Sequence, residues 1–264
     1  MPDRLRGVLI LLPPSEGKHA ADSGEPFELE DLSFPGLAAD REHVLDALAS
    51  ASARADAHEL LGVGTSLAAD VARNRQLRTQ PAVPAHTVYT GVLYEALGYA
   101  SMKPAQRRRA DESVVVVSAL WGAVGFADRI PAYRLSMSVS LPETGRLAAW
   151  WRPRLDAHLA PRAAGRLVVD CRSSTYAAAW RPDPIHAVAV NVYQRRKGQL
   201  KVVSHFAKHT RGALAGHLLT RPGRTPATPS ALLDATREKW EADLVPGTDR
   251  KPHQLNIVLP EDHA

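Results

Sequence analysis

Residues Val8 to Leu12 form an unbroken apolar run, VLILL, halted by Pro13-Pro14. A run this short with no polar position has no solvent face, so it predicts a strand buried on both sides, in a sheet covered by helices. Val114–Leu120, Arg166–Cys171, Ala187–Tyr193 and Lys201–His205 are further short β-branched runs bounded by polar or glycine-containing segments, and they predict the core strands. Apolar residues recur at helical spacing over Leu37–Leu61 and over 147–160, 206–220 and 230–243, and Leu255–Leu259 suits a last short strand. The stretch Gln194–Gln199, with Gly198, is short enough for a hairpin, which makes part of the sheet antiparallel. The expected class is α/β to α+β. A mixed central sheet is flanked by helices in one domain spanning 1–264, with a helical hairpin subdomain at 36–80 as a candidate.

Hydrophobic residues make up 45% and charged residues 23%, which is ordinary globular usage and argues against disorder. Lys and Arg number 33 against 28 for Asp and Glu, a net charge of +5 that favours polyanionic partners or anionic substrates. Cys171 is the only cysteine. That excludes an intramolecular disulfide framework and a multi-cysteine zinc site, and it makes the cytoplasm the expected compartment. Arg4 and Arg6 precede an apolar run too brief for a signal-peptide core or a membrane span. No cofactor and no membrane are called for, and oligomeric state is left open.

Chemistry concentrates after the predicted strands. Pro13-Pro14-Ser15-Glu16-Gly17-Lys18 looks like a phosphate cradle, yet Leu12 and His19 stand where a Walker loop requires glycine and a hydroxyl. Ser15 and Lys18 are still placed to meet an anion past a strand end, the alternative being an exposed turn. Asp170-Cys171-Arg172-Ser173-Ser174-Thr175-Tyr176 offers Asp170 as base or clamp and Arg172 and Ser173 as anion contacts. Helix capping by Asp170 and the serines explains the same residues. Trp121-Gly122 and Ile130–Leu135, with Tyr133 and Arg134, put aromatic and guanidinium groups on another such loop, as stacking groups or as core. His205 and His209 lie four apart, but Lys208 and Arg211 beside them disfavour a metal and favour an anion. The expectation is one cleft containing Ser15, Lys18, Tyr133, Arg134, Asp170, Tyr176, Lys208 and Arg211. Its last two members join only if the 201 strand runs parallel to the first.

Leu61-Gly62-Val63-Gly64-Thr65-Ser66-Leu67-Ala68 fits a helix-hairpin-helix signature, with Arg73, Arg75 and Arg78 following. Two glycines permit a tight turn whose amides bind a nucleic-acid phosphate without regard to sequence, and a packing hairpin needs the same glycines. The DNA-contacting residues would be Gly62, Val63, Gly64, Thr65, Arg73 and Arg75.

In order along the chain come Leu11-Leu12-Pro13-Pro14-Ser15 with Lys18, Tyr89-Thr90-Gly91, and Val117–Gly122 with Pro131, Tyr133, Arg134 and Leu135. Val169-Asp170 with Ser173 and Tyr176 follows, then Ser204 with Ala207-Lys208 and Arg211-Gly212. This series, over residues 8 to 214, resembles the YaaA peroxide-stress family. The resemblance implies a cytosolic α/β protein linked to oxidative stress, DNA binding through a helix-hairpin-helix element, and a positively charged cleft. Two loops depart from the better-known members: Ser-Glu-Gly-Lys replaces Ser-Pro-Ala-Lys-Thr, and Asp-Cys-Arg-Ser replaces Asn-Leu-Ala-Ser. Both changes fall in the expected cleft. The rival expectation is therefore an enzyme acting there on an anionic small molecule such as a nucleotide or nucleobase derivative, with Asp170, Lys18, Tyr89 and Tyr176 as catalytic candidates.

Overall fold

The computed structural model describes residues 7–261, without the side chains of Val202, Ser204 and His205. Arg4 and Arg6 lie outside the described residues. Eight strands form the main sheet: β1 (Val8–Leu12), β2 (Val114–Ser118), β3 (Gly122–Gly125), β4 (Leu167–Asp170), β5 (Ala187–Arg196), β6 (Gln199–Val202), β7 (Glu241–Val245) and β8 (His253–Leu259). Their order is β7-β8-β5-β4-β1-β2-β3, with β6 paired to β5 off that path. β1 runs parallel to β2 and β4, β4 to β5, and β5 to β8, while β3, β6 and β7 are antiparallel to their neighbours. Every residue of β1 and β2 is buried, which is why both read as continuous apolar runs.

The helices are α1 (Ala38–Ser52), α2 (Ala57–Leu60), α3 (Ala68–Arg73), α4 (Ala85–Val88), α5 (Val92–Leu97), α6 (Pro104–Ser113), α7 (Leu147–Ala163), α8 (Ser174–Ala177), α9 (Ser204–Thr220) and α10 (Pro229–Arg237). The mixed sheet flanked by helices matches the class expected from the strand pattern. Three boundaries differ. The helix expected over Leu37–Leu61 is interrupted after Ser52. The one expected over 230–243 stops at Arg237, and Glu241–Val245 becomes a strand whose burial alternates at its start. The run Lys201–His205 ends as a strand at Val202, and α9 begins at Ser204.

That last change bears on the site. β6 is antiparallel to β5, not parallel to β1, so the condition set for Lys208 and Arg211 to join the cleft fails as stated. Their helix reaches the same edge by another route. β5 pairs β4 only as far as Ala189, overshoots to Arg196, turns tightly at Lys197-Gly198, and returns as β6 to the level of Tyr193. The N-terminus of α9 therefore starts near the edge where the parallel strands end. α9 is held there by close packing on α5: a side chain at Gly212 would overlap the Leu93 carbonyl, and Gly216 meets Leu97 in the same way.

Candidate functional site

The loop after β1 is pinned to the segment after α4. His19 N donates to the Val88 carbonyl at 2.9 Å, Lys18 and Tyr89 form an antiparallel bridge, and Thr90 N donates to Ser15 Oγ at 3.0 Å. Ser15 Oγ in turn donates to the Gly17 carbonyl, and Tyr94 Oη donates to the Pro13 carbonyl at 2.7 Å. These contacts turn Lys18 inward. Its ammonium donates to the Ser15 carbonyl at 2.7 Å and lies 4.4 Å from the centre of the Tyr133 ring and 5.8 Å from that of Tyr89.

Beneath the lysine runs a chain of hydroxyls. Ser118, the last residue of β2, receives the Leu120 and Trp121 amides on Oγ at 3.2 and 3.1 Å. With its oxygen occupied as acceptor, its proton goes to Tyr133 Oη at 2.7 Å. Tyr133 Oη lies 3.1 Å from Tyr89 Oη. Burial pushes the pKa values of Tyr89, Tyr94 and Tyr133 well above that of the usual phenol, so all three stay neutral hydroxyls at physiological pH. The same burial, with the Arg134 charge as second cause, brings Lys18 down to about 7. Asp70 and Glu16 oppose that shift as its lesser causes, and among the described residues no carboxylate forms an ion pair with the ammonium.

Arg134 Nη1 donates to the Glu16 carbonyl at 3.0 Å, the oxygen that Lys18 also approaches at 3.5 Å. Lys208 reaches the Glu16 carboxylate at 3.5 Å, both groups being exposed. Half-buried Tyr176 is close enough to Glu16, Arg134 and the other phenols to interact with them electrostatically. Ser15, Lys18, Tyr89, Tyr133, Arg134, Tyr176 and Lys208 thus gather at one place. Arg211 sits one helical turn away and braces β5, donating to the Val190 carbonyl through Nε at 3.1 Å and Nη2 at 2.9 Å.

Asp170 and Arg172 are arranged differently. Arg172 Nε and Nη2 grip Asp170 Oδ1 and Oδ2 at 2.8 and 2.7 Å, and its backbone amide adds a third bond at 3.0 Å. The guanidinium also donates to the Trp180 carbonyl at 2.9 Å and is fully buried. The pair therefore holds the start of the loop and lines a separate cavity of about 1060 Å³ with Asp156, Trp180, Arg181 and His186. Asp170 does not stand between Lys18 and Lys208. Ser173 is exposed just before α8, and the Cys171 thiol is buried and pushed up to about 12, which leaves it unreactive. Trp121 is fully buried core rather than a stacking surface. His209 is exposed, and no group of three or more potential metal ligands occurs among the described residues.

In the 61–78 region, α2 is one turn closed by a Schellman cap: Val63 N donates to the His58 carbonyl and Gly62 N to that of Glu59, at 2.9 and 3.0 Å. Gly62 adopts φ +63°, which needs glycine, whereas Gly64 has φ −74°, open to any residue. Thr65 opens a short 3-10 turn before α3. Arg73 is paired with Asp70, and Arg78 with Glu42 and Asp46 at 2.6 and 2.9 Å, while exposed Arg75 has no side-chain partner among the described residues. Buried Asn74 ties this region to the cleft: its amide receives Arg134 N and donates to the Arg134 carbonyl, both at 2.8 Å. Asn74, Tyr94 and Ser118 were not singled out as site residues from the sequence. Ser118 carried a usable signal, a hydroxyl ending the apolar run VVVVS.

A mostly parallel central sheet flanked by helices, with polar groups gathered past the strand ends, makes this an α/β protein. The particular family follows from sequence comparison. Residues 8–243 match the family described as Peroxide stress protein YaaA, and the chain belongs to it. A UPF0246 protein of Streptomyces coelicolor is 44% identical over 263 residues, covering 97% of this chain and 100% of the relative. One from Corynebacterium efficiens is 38% identical over 233 residues (87% and 92%), and one from Methylibium petroleiphilum 30% over 231 (83% and 88%).

Proposed function

We propose that this family member acts in the cytosol during peroxide stress by gripping the DNA backbone without regard to sequence. The grip uses the Gly62–Thr65 turn, Arg73 and Arg75, with Lys208 and Arg134 at the adjoining cleft. The observation that carries this is buried Asn74, whose two hydrogen bonds to the Arg134 backbone tie the turn region to the cleft. Among the described residues Arg75 has no side-chain partner, and exposed Lys208 is held by an exposed carboxylate worth little in water. With about three phosphates neutralised, affinity for duplex DNA should fall roughly 40-fold between 50 and 200 mM salt. Arg75→Ala should weaken binding and reduce the logarithmic salt slope by about one. Salt-independent binding, or an Arg75→Ala protein that binds unchanged, overturns the assignment.

A second reading, an enzyme acting on an anionic small molecule, is favoured by a different observation: Lys18 bonds neutral carbonyls against neutral rings and, among the described residues, forms no ion pair with a carboxylate. Tyr89 and Tyr176 then shape the site and Arg134 holds the anion. Asp170 acts only on the loop, through Arg172.

A further inference from the structure

Lys18 is a cation of the cleft that DNA backbone contact leaves unexplained. A lysine that serves as a phosphate contact is best left charged and solvated. This one is turned between two aromatic rings, and its acceptors are the neutral carbonyls of Ser15 and Glu16. Arg134 donates to the same Glu16 oxygen, which holds a second positive charge close to the ammonium and disfavours its charged form. The residue remains only partly buried, so the amine is within reach of a ligand. A free amine next to a guanidinium suits a substrate whose carbonyl lies close to its own negative charge, and walls of phenol rings limit the water that would reverse a condensation.

We propose that Lys18 condenses with the aldehyde of a phosphorylated sugar, either a free sugar phosphate or the open-chain sugar at a baseless position in a DNA strand. Arg134 receives the phosphate in both cases. The Nζ lone pair adds to the carbonyl carbon and one amine proton passes to the oxygen. The carbinolamine then loses its hydroxyl with the second amine proton as water, leaving a C=N bond. The inference rests on the cleft being an anion site and goes further by naming the ligand's reactive group.

The test is reductive trapping. The whole protein is incubated with ribose 5-phosphate in one arm and with a duplex carrying a single abasic site in the other, in the presence of sodium borohydride. Adducts are located by peptide mass spectrometry. The expected result is one dominant adduct on Lys18, at least tenfold above Lys103 or Lys239, with a yield that rises as pH passes through about 7. The arm that labels identifies the source of the aldehyde. Lys18→Arg should abolish trapping, and Arg134→Gln should lower it about tenfold in a protein that remains folded. Mapping on the unaltered protein keeps the test valid if a variant folds poorly. Binding of a duplex with an unreactive tetrahydrofuran site, or of inorganic phosphate, is measured alongside. Binding that Arg134→Gln weakens, with no Lys18 adduct in either arm, overturns the imine and leaves the anion site standing. Absence of both binding and trapping in the unaltered protein overturns the anion site as well.

Discussion

Two neighbouring strands end in polar loops and use their basic residues in opposite ways. β1 and β4 lie side by side with Leu11 opposite Asp170, and each is followed by a cation within a few residues, Lys18 and Arg172. After β4 the cation is consumed at once, because Arg172 is gripped by a carboxylate two positions away and capped by two carbonyls. After β1 the nearest carboxylate in sequence, Glu16, points out to exposed Lys208, and Lys18 is left with carbonyls and rings. A charged residue at a strand end is thus no guide to an available charge. What matters is whether a partner of opposite sign can reach it without leaving the loop.

The largest effect should come from breaking the satisfied pair. Arg172→Ala leaves Asp170 nearly buried without its partner, and Asp170→Ala strands a fully buried guanidinium. Each should lose about 3–5 kcal/mol in denaturant unfolding. A loss below about 0.5 kcal/mol would erase the contrast between the two loops. It would also return Asp170 to the list of groups free for chemistry.

The unsatisfied cation should instead show itself in pH dependence. Lys18 titrates at about 7 when folded and at 10.5 as a free side chain, so between those values the unfolded chain binds more protons than the native one. Stability carried by this group therefore rises from about pH 7 towards 10.5, and below 7 the charged form is penalised. Lys18→Met should remove that slope, seen as melting temperature against pH, and should stabilise the protein most on the acidic side. An unchanged slope would mean that the ammonium is solvated like any surface lysine.

A smaller effect separates the two glycines of the turn after α2. Gly62→Ala places a side chain at φ +63° and should cost about 1–2 kcal/mol, whereas Gly64→Ala at φ −74° should stay within about 0.5 kcal/mol. Equal costs would mean that Gly64 also needs its freedom, as a phosphate-clasping turn with close backbone approach requires. If Gly64→Ala lowers DNA affinity while sparing stability, the turn contacts the backbone.

Much of the architecture was legible because burial leaves a pattern. VLILL, VVVVS and the β-branched run of β5 are strands by length and composition, and the hairpin at Lys197-Gly198 followed from its spacing. EADLV was hidden because Ala and Leu at that spacing suit a helix as well as an edge strand. Lys201–His205 reads as one short β-branched run, yet the strand ends at Val202 and a helix starts at Ser204. Within the site, Ser15, Lys18, Tyr133, Arg134 and Tyr176 could be named from the rule that polar groups collect past strand ends. Asp170 and Arg172 met the same rule and were set apart by their mutual geometry.

Sequence alone determined the class of fold, the order of the parallel strands' polar loops and the family, because apolar periodicity and ordered motifs are local properties that survive without coordinates. Tertiary structure decided which charges are free. Asn74 joins the turn region to the cleft from 60 residues away, Tyr89 and Tyr133 enclose Lys18 from distant segments, and the overshoot of β5 brings α9 to the right edge. An ionisable group takes its proton affinity from what surrounds it in space, and for Lys18 those surroundings come from parts of the chain far away in sequence.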